Sequence, residues 1–370
     1  MAKSPVSYDS LQRNEVQLTD VNVEYSDTAL SLTDDEQDGL LHETPVSPVR
    51  RSSTGKSGLL AVVLWFVFNT SISNVNKILM ASQEFKFPLT LTCCHMATCF
   101  LMSTLSLTTE TPLFGGFSYQ RTPSGTVRMR IFALAATFAL SVVLGNIGLK
   151  YVYPSFAQMI GAATPIATVF LAVTVQGKSF HRNAYLALIP VTVGAVMCAK
   201  MEVNFHVVGF IALLGALATR ALKSVLGDIL LSGTNKDNEG KLDSMNLLYY
   251  MSQSSATLLF AFALFFEVPS LLSSEELWLK GTWTPATDWP SWLILSSLNA
   301  FLCNLTNFLV TKHFSAVTLQ VLGAFKLSLG IAVSLLVFHN AITKLAALGV
   351  VLIVFGSYQY GRWRKVAPSA

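Results

Sequence analysis

The sequence predicts an all-α membrane protein with ten transmembrane helices, arranged as two inverted five-helix repeats. Hydrophobic residues make up 52% of the 370-residue chain and charged residues only 12%, whereas soluble domains carry about 25% charged residues. Ten apolar stretches are each long enough to cross ~30 Å of hydrocarbon. Two segments in opposite halves of the chain also have similar sequences.

The apolar stretches divide the chain into three parts. Up to residue 51 the chain holds ten acidic and four basic residues, so we expect residues 1–55 to be a disordered, acidic cytosolic tail. Residues 56–365 hold the ten predicted helices, in halves of about 58–200 and 206–361, and residues 366–370 form a cytosolic C-terminal end. The helices are predicted near 58–80, 87–108, 129–149, 155–176, 183–200, 206–232, 244–267, 291–311, 315–338 and 343–361.

The internal repeat is read at an offset of 162 residues, which aligns 153–194 with 315–356. Identical residues meet at positions that include Gln158, Gly161, Ala162, Val175 and Gly194 against Gln320, Gly323, Ala324, Val337 and Gly356. The fourth predicted helix and the ninth run in opposite directions. Similar sequence in opposite orientation indicates an inverted-topology repeat, which is a feature of transporters.

Lys and Arg residues predict the orientation in the membrane. Fourteen of them flank the predicted helices on the side of the N-terminus, against five on the other side. Positive charge accumulates on the cytosolic side of membrane proteins. Both termini are therefore expected in the cytosol.

Cations lie deep in two of the predicted helices. Lys326 sits in the middle of the ninth, where insertion of a lysine costs roughly 2.5–3.5 kcal/mol, so it is expected to face a bundle interior or a watery cavity. Arg220 and Lys223 lie three residues apart on one face of the sixth helix. Arg220 has an alternative role, as the partner of Asp228 or of capping carbonyls. An excess of deep cations suggests an anionic ligand such as a phosphate or carboxylate.

Two further cations end predicted helices, Lys77 the first and Lys150 the third. Each could instead snorkel to the interface. Uncharged polar side chains also recur at depth, and they could bridge helices at ~0.6 kcal/mol each or contact a ligand. They are Gln158, Thr164, Asn304, Thr306, Asn307 and Gln320.

No pattern in the chain indicates catalysis, a cofactor or nucleic-acid binding. The five cysteines lack metal-ligand spacing, and we interpret them, like His95, as packing residues. Gly-rich phosphate loops and hydrolase nucleophile motifs are absent from the sequence. We therefore expect no metal, no cofactor and no enzymatic activity.

Several stretches resemble the triose-phosphate translocator and nucleotide-sugar transporter family, within the drug/metabolite transporter superfamily. They are NK at 76–77, FPLTLT at 87–92, GNIGLK at 145–150, SFAQMIGAATP at 155–165, RALKSVL at 220–226, SMNLLYYM at 244–251, NLTNFLVTK at 304–312 and TLQVLG at 318–323. The resemblance covers about 58–365. It implies ten helices in two inverted halves that exchange one anionic solute for another.

The resemblance is closer to the Golgi nucleotide-sugar branch than to the plastid phosphate translocators. The plastid proteins use a Lys-Arg pair where this chain has Leu327 and Ser328, and a substrate-contacting tyrosine where it has Asn304. The Golgi branch has a single lysine after Val-Leu-Gly, which matches Lys326. Its usual Gly-Asn-Ala-Lys-Gly is here Gly-Ala-Phe-Lys-Leu at 323–327, so we expect a substrate that differs from the branch's usual ones.

These observations predict a secondary-active antiporter in a Golgi or ER membrane. It would exchange a nucleotide sugar, a UDP-sugar first of all, for a nucleoside monophosphate. The predicted substrate-binding residues are Lys77, Gln158, Thr164, Arg220, Lys223, Asn304, Asn307, Gln320 and Lys326. The alternatives are an exchanger of sugar phosphate or C3 acid phosphate for phosphate, and a non-transporting scaffold or sensor. The expected partners are the anionic solutes and membrane lipid, with a homodimer left open.

Overall fold

The structure, a computed structural model, describes residues 55–81, 85–109, 117–121, 124–198, 206–233, 241–273, 289–338 and 343–364. The predicted acidic tail, apart from residue 55, and the predicted C-terminal end lie outside these ranges. Every regular element in the described part is an α-helix. The predicted all-α class is therefore confirmed.

Twelve helices follow one another in the described chain. They are α1 (Lys56–Ala81), α2 (Pro88–Thr108), α3 (Gly125–Tyr151), α4 (Pro154–Gly161), α5 (Thr164–Gln176), α6 (Arg182–Cys198), α7 (Val207–Ser232), α8 (Ser244–Phe266), α9 (Val268–Leu272), α10 (Trp289–His313), α11 (Ala316–Phe338) and α12 (Lys344–Trp363).

Eight segments of the described chain are helical, long and apolar enough to cross a membrane. The helices α6 and the searched part of α11, Ala316–Leu329, are apolar but shorter. The chain is thus a multi-span membrane protein. The predicted total of ten spans stays a prediction.

The fourth predicted helix is interrupted in the structure at residues 162–163, between α4 and α5. Pro165 explains the break, because proline has no N–H and its ring clashes with the carbonyl four residues earlier. That carbonyl belongs to Gly161, and it accepts a hydrogen bond of 2.5 Å from the Thr164 hydroxyl. The freed backbone oxygen is thereby satisfied inside the bundle.

Residues 49–370 form one compact unit. Within it the most extensive helix contacts join α1 to α10, α2 to α8, α3 to α7 and α6 to α12. The largest buried apolar cluster lies between α2, α3, α8 and α10, and a second joins α5, α6, α7, α11 and α12. These two clusters leave a space between α1, α3, α7 and α11 that is lined by polar side chains.

Glycines bring α6 and α12 unusually close together. A Cβ on Gly194 of α6 would lie 2.5 Å from the carbonyl oxygen of Gly349, and one on Gly356 of α12 would lie 2.8 Å from that of Ala187. Small residues allow such close approach between helices in membranes.

Candidate functional site

A cavity of about 630 Å³ opens inside the helical bundle. Its walls come from α1, α2, α3, α7, α10 and α11. Ligand pockets in proteins typically measure ≈ 300–1,000 Å³, so this one is large enough for a nucleotide-sized solute.

Three cations line the cavity: Arg220 and Lys223 on α7, and Lys326 on α11. The two on α7 share one helix face with Ser224 and Gly227, because these positions follow the helical period. Arg220 is exposed, whereas Lys223 and Lys326 are partly buried.

Neutral groups hold the two lysines in place. The ammonium of Lys326 donates a hydrogen bond to Oδ1 of Asn69 on α1. The Asn69 amide nitrogen in turn lies 3.6 Å from the sulfur of Cys303. The Lys223 ammonium lies 4.5 Å from the centroid of the Phe138 ring, a cation–π contact. These contacts position the cations without neutralising them.

No carboxylate lines the cavity among the described residues. The acidic residues in the described part are Asp228, Asp243 and Glu267, and each is engaged elsewhere. Asp228 forms a salt bridge with Lys178. Asp243 caps the N-terminus of α8, and Glu267 accepts hydrogen bonds from two amides at the start of α2. In the structure Arg220 lines the cavity and the salt bridge of Asp228 is made with Lys178, so the expected pair of Arg220 with Asp228 does not form there.

Amide side chains in the cavity have orientations that their partners dictate. The indole N–H of Trp65 can only donate, and it lies 2.8 Å from Oδ1 of Asn307. The amide nitrogen of Asn307 is then left for the cavity. Asn304 donates from its nitrogen to a carbonyl one turn earlier on α10, at 2.9 Å. Gln320 donates to the Ser224 hydroxyl at 2.8 Å, so both present their oxygens.

Lys326 lies between two ends of the cavity, as the position of its partner Asn69 along α1 shows. Trp65 precedes Asn69 by four residues and Asn76 follows it by seven, which correspond to about 6 Å and about 10 Å along the helix. We name the two ends by their lining. The aromatic end comprises Trp65, Asn307, Phe308, Thr311, Leu319 and Gln320, and the amide end comprises Asn76, Met80, Pro88, Leu91, Thr92, Asn146 and Leu149.

The structure brings six of the nine predicted site residues together around this cavity. They are Arg220, Lys223, Asn304, Asn307, Gln320 and Lys326. Whether they bind substrate stays a prediction. The other three, Lys77, Gln158 and Thr164, are not among the lining residues.

These three side chains have different surroundings. Lys77 is exposed on α1 next to Asn76, and Gln158 is exposed on α4. Thr164 is buried, and its hydroxyl is used at the break between α4 and α5. At the 162-residue offset, Gln158 and Thr164 are the counterparts of Gln320 and Lys326, so the cavity uses this pair of positions from only one of the two segments.

Sequence reasoning named Lys77 on α1 but missed the residues of that helix that line the cavity. Trp65, Asn69, Asn76 and Met80 all line the cavity, and their spacing of four, seven and four residues follows one helix face. That spacing was the available signal. Asn146 on α3, part of the GNIGLK stretch, was also missed as a lining residue.

The described cysteines offer neither a disulfide nor a metal site. All five are free. Within the part of the chain that the structure describes, no group of three or more His, Cys, Asp and Glu side chains could hold a metal ion.

Comparison with known proteins identifies the family. The model of the Triose-phosphate Transporter family matches residues 57–361. The chain belongs to this family. It is therefore a transporter and not an enzyme, as the sequence predicted, and the predicted family resemblance is confirmed.

Three relatives from Arabidopsis thaliana illustrate the range of the family. A probable sugar phosphate/phosphate translocator and UDP-uronic acid transporter 1 are each 38% identical over 314 residues, covering 82% of this chain and 94% of theirs. UDP-galactose transporter 1 is 32% identical over 311 residues, covering 83% of this chain and 87% of its own.

A solved crystal structure has the same fold. It superposes with a TM-score of 0.61 at 16% sequence identity, and covers 85% of this chain and 98% of that chain. At this level of identity the similarity concerns the fold alone.

Proposed function

We propose that this transporter exchanges a nucleotide sugar, specifically a UDP-sugar, for a nucleoside monophosphate. The observation that carries the proposal is the lining of the cavity, in which Lys326 lies between two ends that both carry amide side chains and, among the described residues, no carboxylate accompanies the three cations. A nucleotide sugar has the matching layout, because its charged diphosphate lies between an uncharged nucleoside and a hydroxyl-rich sugar, which is uncharged in UDP-galactose and carries a carboxylate in a UDP-uronic acid.

The cations bind the diphosphate. Lys326 and Lys223 would each donate a charge-assisted hydrogen bond to a phosphate oxygen, which is roughly twice as strong as a neutral one. Arg220 can add a planar fork of donors to the same group. A nucleoside monophosphate retains the nucleoside and one phosphate, so it competes for the same cations. Competition for one site is what an exchange mechanism requires.

The names of relatives favour a UDP-sugar without deciding it, since a relative from Arabidopsis thaliana that is 32% identical over 311 residues is named a GDP-mannose transporter. Two of the relatives described above are named for UDP-linked substrates, a UDP-uronic acid and UDP-galactose. The nucleoside would occupy the aromatic end, where Trp65 and Phe308 line the wall and Asn307 presents a donor.

A sugar phosphate/phosphate exchanger is the second candidate. A relative at 38% identity is named a probable sugar phosphate/phosphate translocator, which favours it. The cavity favours the nucleotide sugar, because a sugar phosphate has one uncharged arm and leaves one uncharged end without a ligand. Leu327 and Ser328 also stand where the plastid proteins resembled here have adjacent Lys and Arg.

Alternating access would follow from rocking of two five-helix halves within a ten-span bundle. The contact between α6 and α12 supports such a repeat. At the 162-residue offset the pair Gly194–Gly349 corresponds to the pair Gly356–Ala187, and both pairs are in close contact. Such reciprocity is the packing expected across a pseudo-two-fold axis.

The residues outside the cavity take part in the other states of this cycle. Gln158 and Thr164, as the repeat counterparts of Gln320 and Lys326, would approach the solute when the halves rock. Lys77, exposed beside the amide end, would form part of a gate there. We place the transporter in a Golgi or ER membrane with both termini in the cytosol, on the basis of the Lys and Arg distribution and the substrate class.

Reconstitution tests the proposal. Liposomes containing the purified protein are preloaded with UMP, GMP, CMP or inorganic phosphate, and uptake of labelled UDP-galactose, UDP-glucuronic acid and sugar phosphates is measured. We expect UMP to accelerate UDP-sugar uptake and phosphate to have no such effect. Phosphate-driven uptake of a sugar phosphate without UDP-sugar uptake would establish the second candidate instead.

A further inference from the structure

A chain of hydrogen bonds links three helices behind the amide end of the cavity. Nε2 of His95 on α2 lies 2.8 Å from the hydroxyl of Ser296 on α10. That hydroxyl donates to Oδ1 of Asn76 on α1. His95 is only 6% exposed and Ser296 is fully buried, so water does not supply alternative partners for this chain.

The chain has a direction, which follows from the number of protons available. The Ser296 hydroxyl has one proton and gives it to Asn76, so its bond to His95 requires Nε2–H of the imidazole as donor. With the Asn76 amide oriented as in the structure, the network assigns the imidazole tautomer. The Asn76 nitrogen is left with no protein hydrogen-bond partner in the described ranges, and the side chain lines the cavity.

We propose that Asn76 is a further substrate-binding residue that donates a hydrogen bond to the sugar of the nucleotide sugar, and that His95 is its positioning residue. The proposal rests on the proposed function and extends it to the sugar end of the same cavity. It also gives a role to His95, which the sequence pattern indicated only as a packing residue.

The position of Asn76 separates it from the phosphate that Lys326 would bind. Asn69, which holds the Lys326 ammonium, lies seven residues earlier on the same helix, or about 10 Å along the axis. A phosphate bound by Lys326 is therefore too far away to accept a hydrogen bond of about 3 Å from Asn76. The Asn76 donor instead meets whatever extends from the phosphates toward the amide end.

The lining of the two ends decides between the sugar and the base. Bases pack against aromatic rings, and the rings of Trp65 and Phe308 form part of the wall of the aromatic end, with 3% and 6% of these residues exposed. The lining of the amide end contains no aromatic side chain. Each end offers two amides and a threonine hydroxyl, so the rings, and not the polar groups, assign the base to the aromatic end and the sugar to the amide end.

Measuring the affinities of three ligands for wild type and two alanine variants tests which part of the ligand each end of the cavity contacts. Dissociation constants of UDP-galactose, UDP-glucuronic acid and UMP are measured by competition against labelled uptake for wild type, Asn76→Ala and Asn307→Ala. Asn76→Ala is expected to weaken the UDP-sugar that wild type exchanges by about fivefold, the loss of one neutral hydrogen bond, and to leave UMP unchanged because UMP has no sugar arm. Asn307→Ala, the matched change at the other end, is expected to weaken UMP and the UDP-sugars alike.

Two substitutions at His95 test its role as a positioning residue. His95→Leu removes the donor to Ser296 and should reproduce the selective loss of UDP-sugar affinity, whereas His95→Gln retains an N–H and should restore it. Equal losses with Leu and Gln, or equal weakening of UMP and UDP-sugar by Asn76→Ala, would overturn the inference, as would normal affinities in Asn76→Ala. Failure of wild type to exchange any UDP-sugar for UMP would instead overturn the proposed function, and this inference with it.

Discussion

Helix α7 carries three charged side chains within nine residues, and their surroundings differ. On the cavity face of α7, Lys223 lies against the Phe138 ring, and among the described residues no carboxylate lines the cavity beside it and Arg220. On the buried face, Asp228 is 1% exposed and forms a salt bridge with Lys178, with a further hydrogen bond of 3.3 Å from Gln176. The sequence alone does not separate these two faces.

The difference indicates which charges serve the fold and which serve the ligand. A buried carboxylate without a partner is strongly destabilising, so Asp228 and Lys178 are expected to be part of the structure. A cation in an open cavity keeps access to water and to solutes, and its missing counter-charge can arrive with the substrate. Lys326 belongs to the second group, since its described partner is the neutral Asn69.

The largest expected effect is on transport by a Lys326→Met variant. The variant loses a charge-assisted hydrogen bond to phosphate, at the upper end of the ≈ 1.5–3 kcal/mol such bonds contribute, so uptake at low substrate concentration should fall about a hundredfold. Folding should be unaffected, because methionine inserts more readily than lysine. Uptake above half of the wild-type rate at normal expression would refute the role of Lys326.

The opposite result, lower stability with normal transport, is expected for Lys178→Met. This variant removes the salt-bridge partner of Asp228. Removing this partner leaves the Asp228 carboxylate buried without the Lys178 charge, although the Gln176 hydrogen bond stays, and should lower stability by about 2 kcal/mol, below the usual range because the Lys178 side chain is 36% exposed. Thermal unfolding in detergent measures the loss, and uptake per folded molecule should remain near wild type. Adding Asp228→Asn should recover most of the lost stability. A variant that is stable but inactive would place Lys178 with the cavity cations.

A double-mutant cycle tests whether Lys223 and Lys326 act on the same phosphates. Lys223→Met alone should weaken substrate binding by about tenfold. When both lysines are replaced, the combined loss should be smaller than the sum of the single losses, because the two cations share one ligand group. Competition binding measures the UMP dissociation constants of wild type, the two single variants and the double variant. Strict additivity would mean that the two lysines bind separate groups.

The smallest effect is expected from deleting residues 1–50. This segment is acidic, and it could in principle supply the counter-charge that the cavity lacks. If the substrate supplies it instead, liposome exchange should be unchanged by the deletion. Exchange that becomes faster, with a lower Michaelis constant, would show that the tail competes with the substrate for the cations.

The fold was largely predictable from sequence because apolar stretches of membrane length are a strong local signal. The break between α4 and α5 was missed, although Pro165 lies one turn after it, because hydropathy alone does not register a lost backbone hydrogen bond. The ten-span count remains untested, since α6 and the searched part of α11 are shorter than a full span.

The site was predictable only in part, because a sequence indicates how deep a residue lies in the membrane but not which way its side chain points. Depth singled out Arg220, Lys223 and Lys326, which do line the cavity. It also suggested that Asp228 might pair with Arg220, since nothing in the sequence shows that Lys178 folds back onto that carboxylate. The amide contribution of α1 depends on which face of that helix meets the cavity, and only packing against α10 determines this.

Ligand-induced thermal stabilisation tests the contrast between the two faces of α7 most directly. Wild type, Lys326→Met and Lys178→Met are unfolded in detergent with and without UMP at about 100 times the wild-type dissociation constant, where binding should add about 2.7 kcal/mol of stability. We predict that wild type and Lys178→Met gain the same increment from UMP, although Lys178→Met starts from a lower stability, and that Lys326→Met gains little or none. An increment in Lys326→Met equal to that of wild type would contradict the claim that the unpaired cations of the cavity hold the anionic substrate.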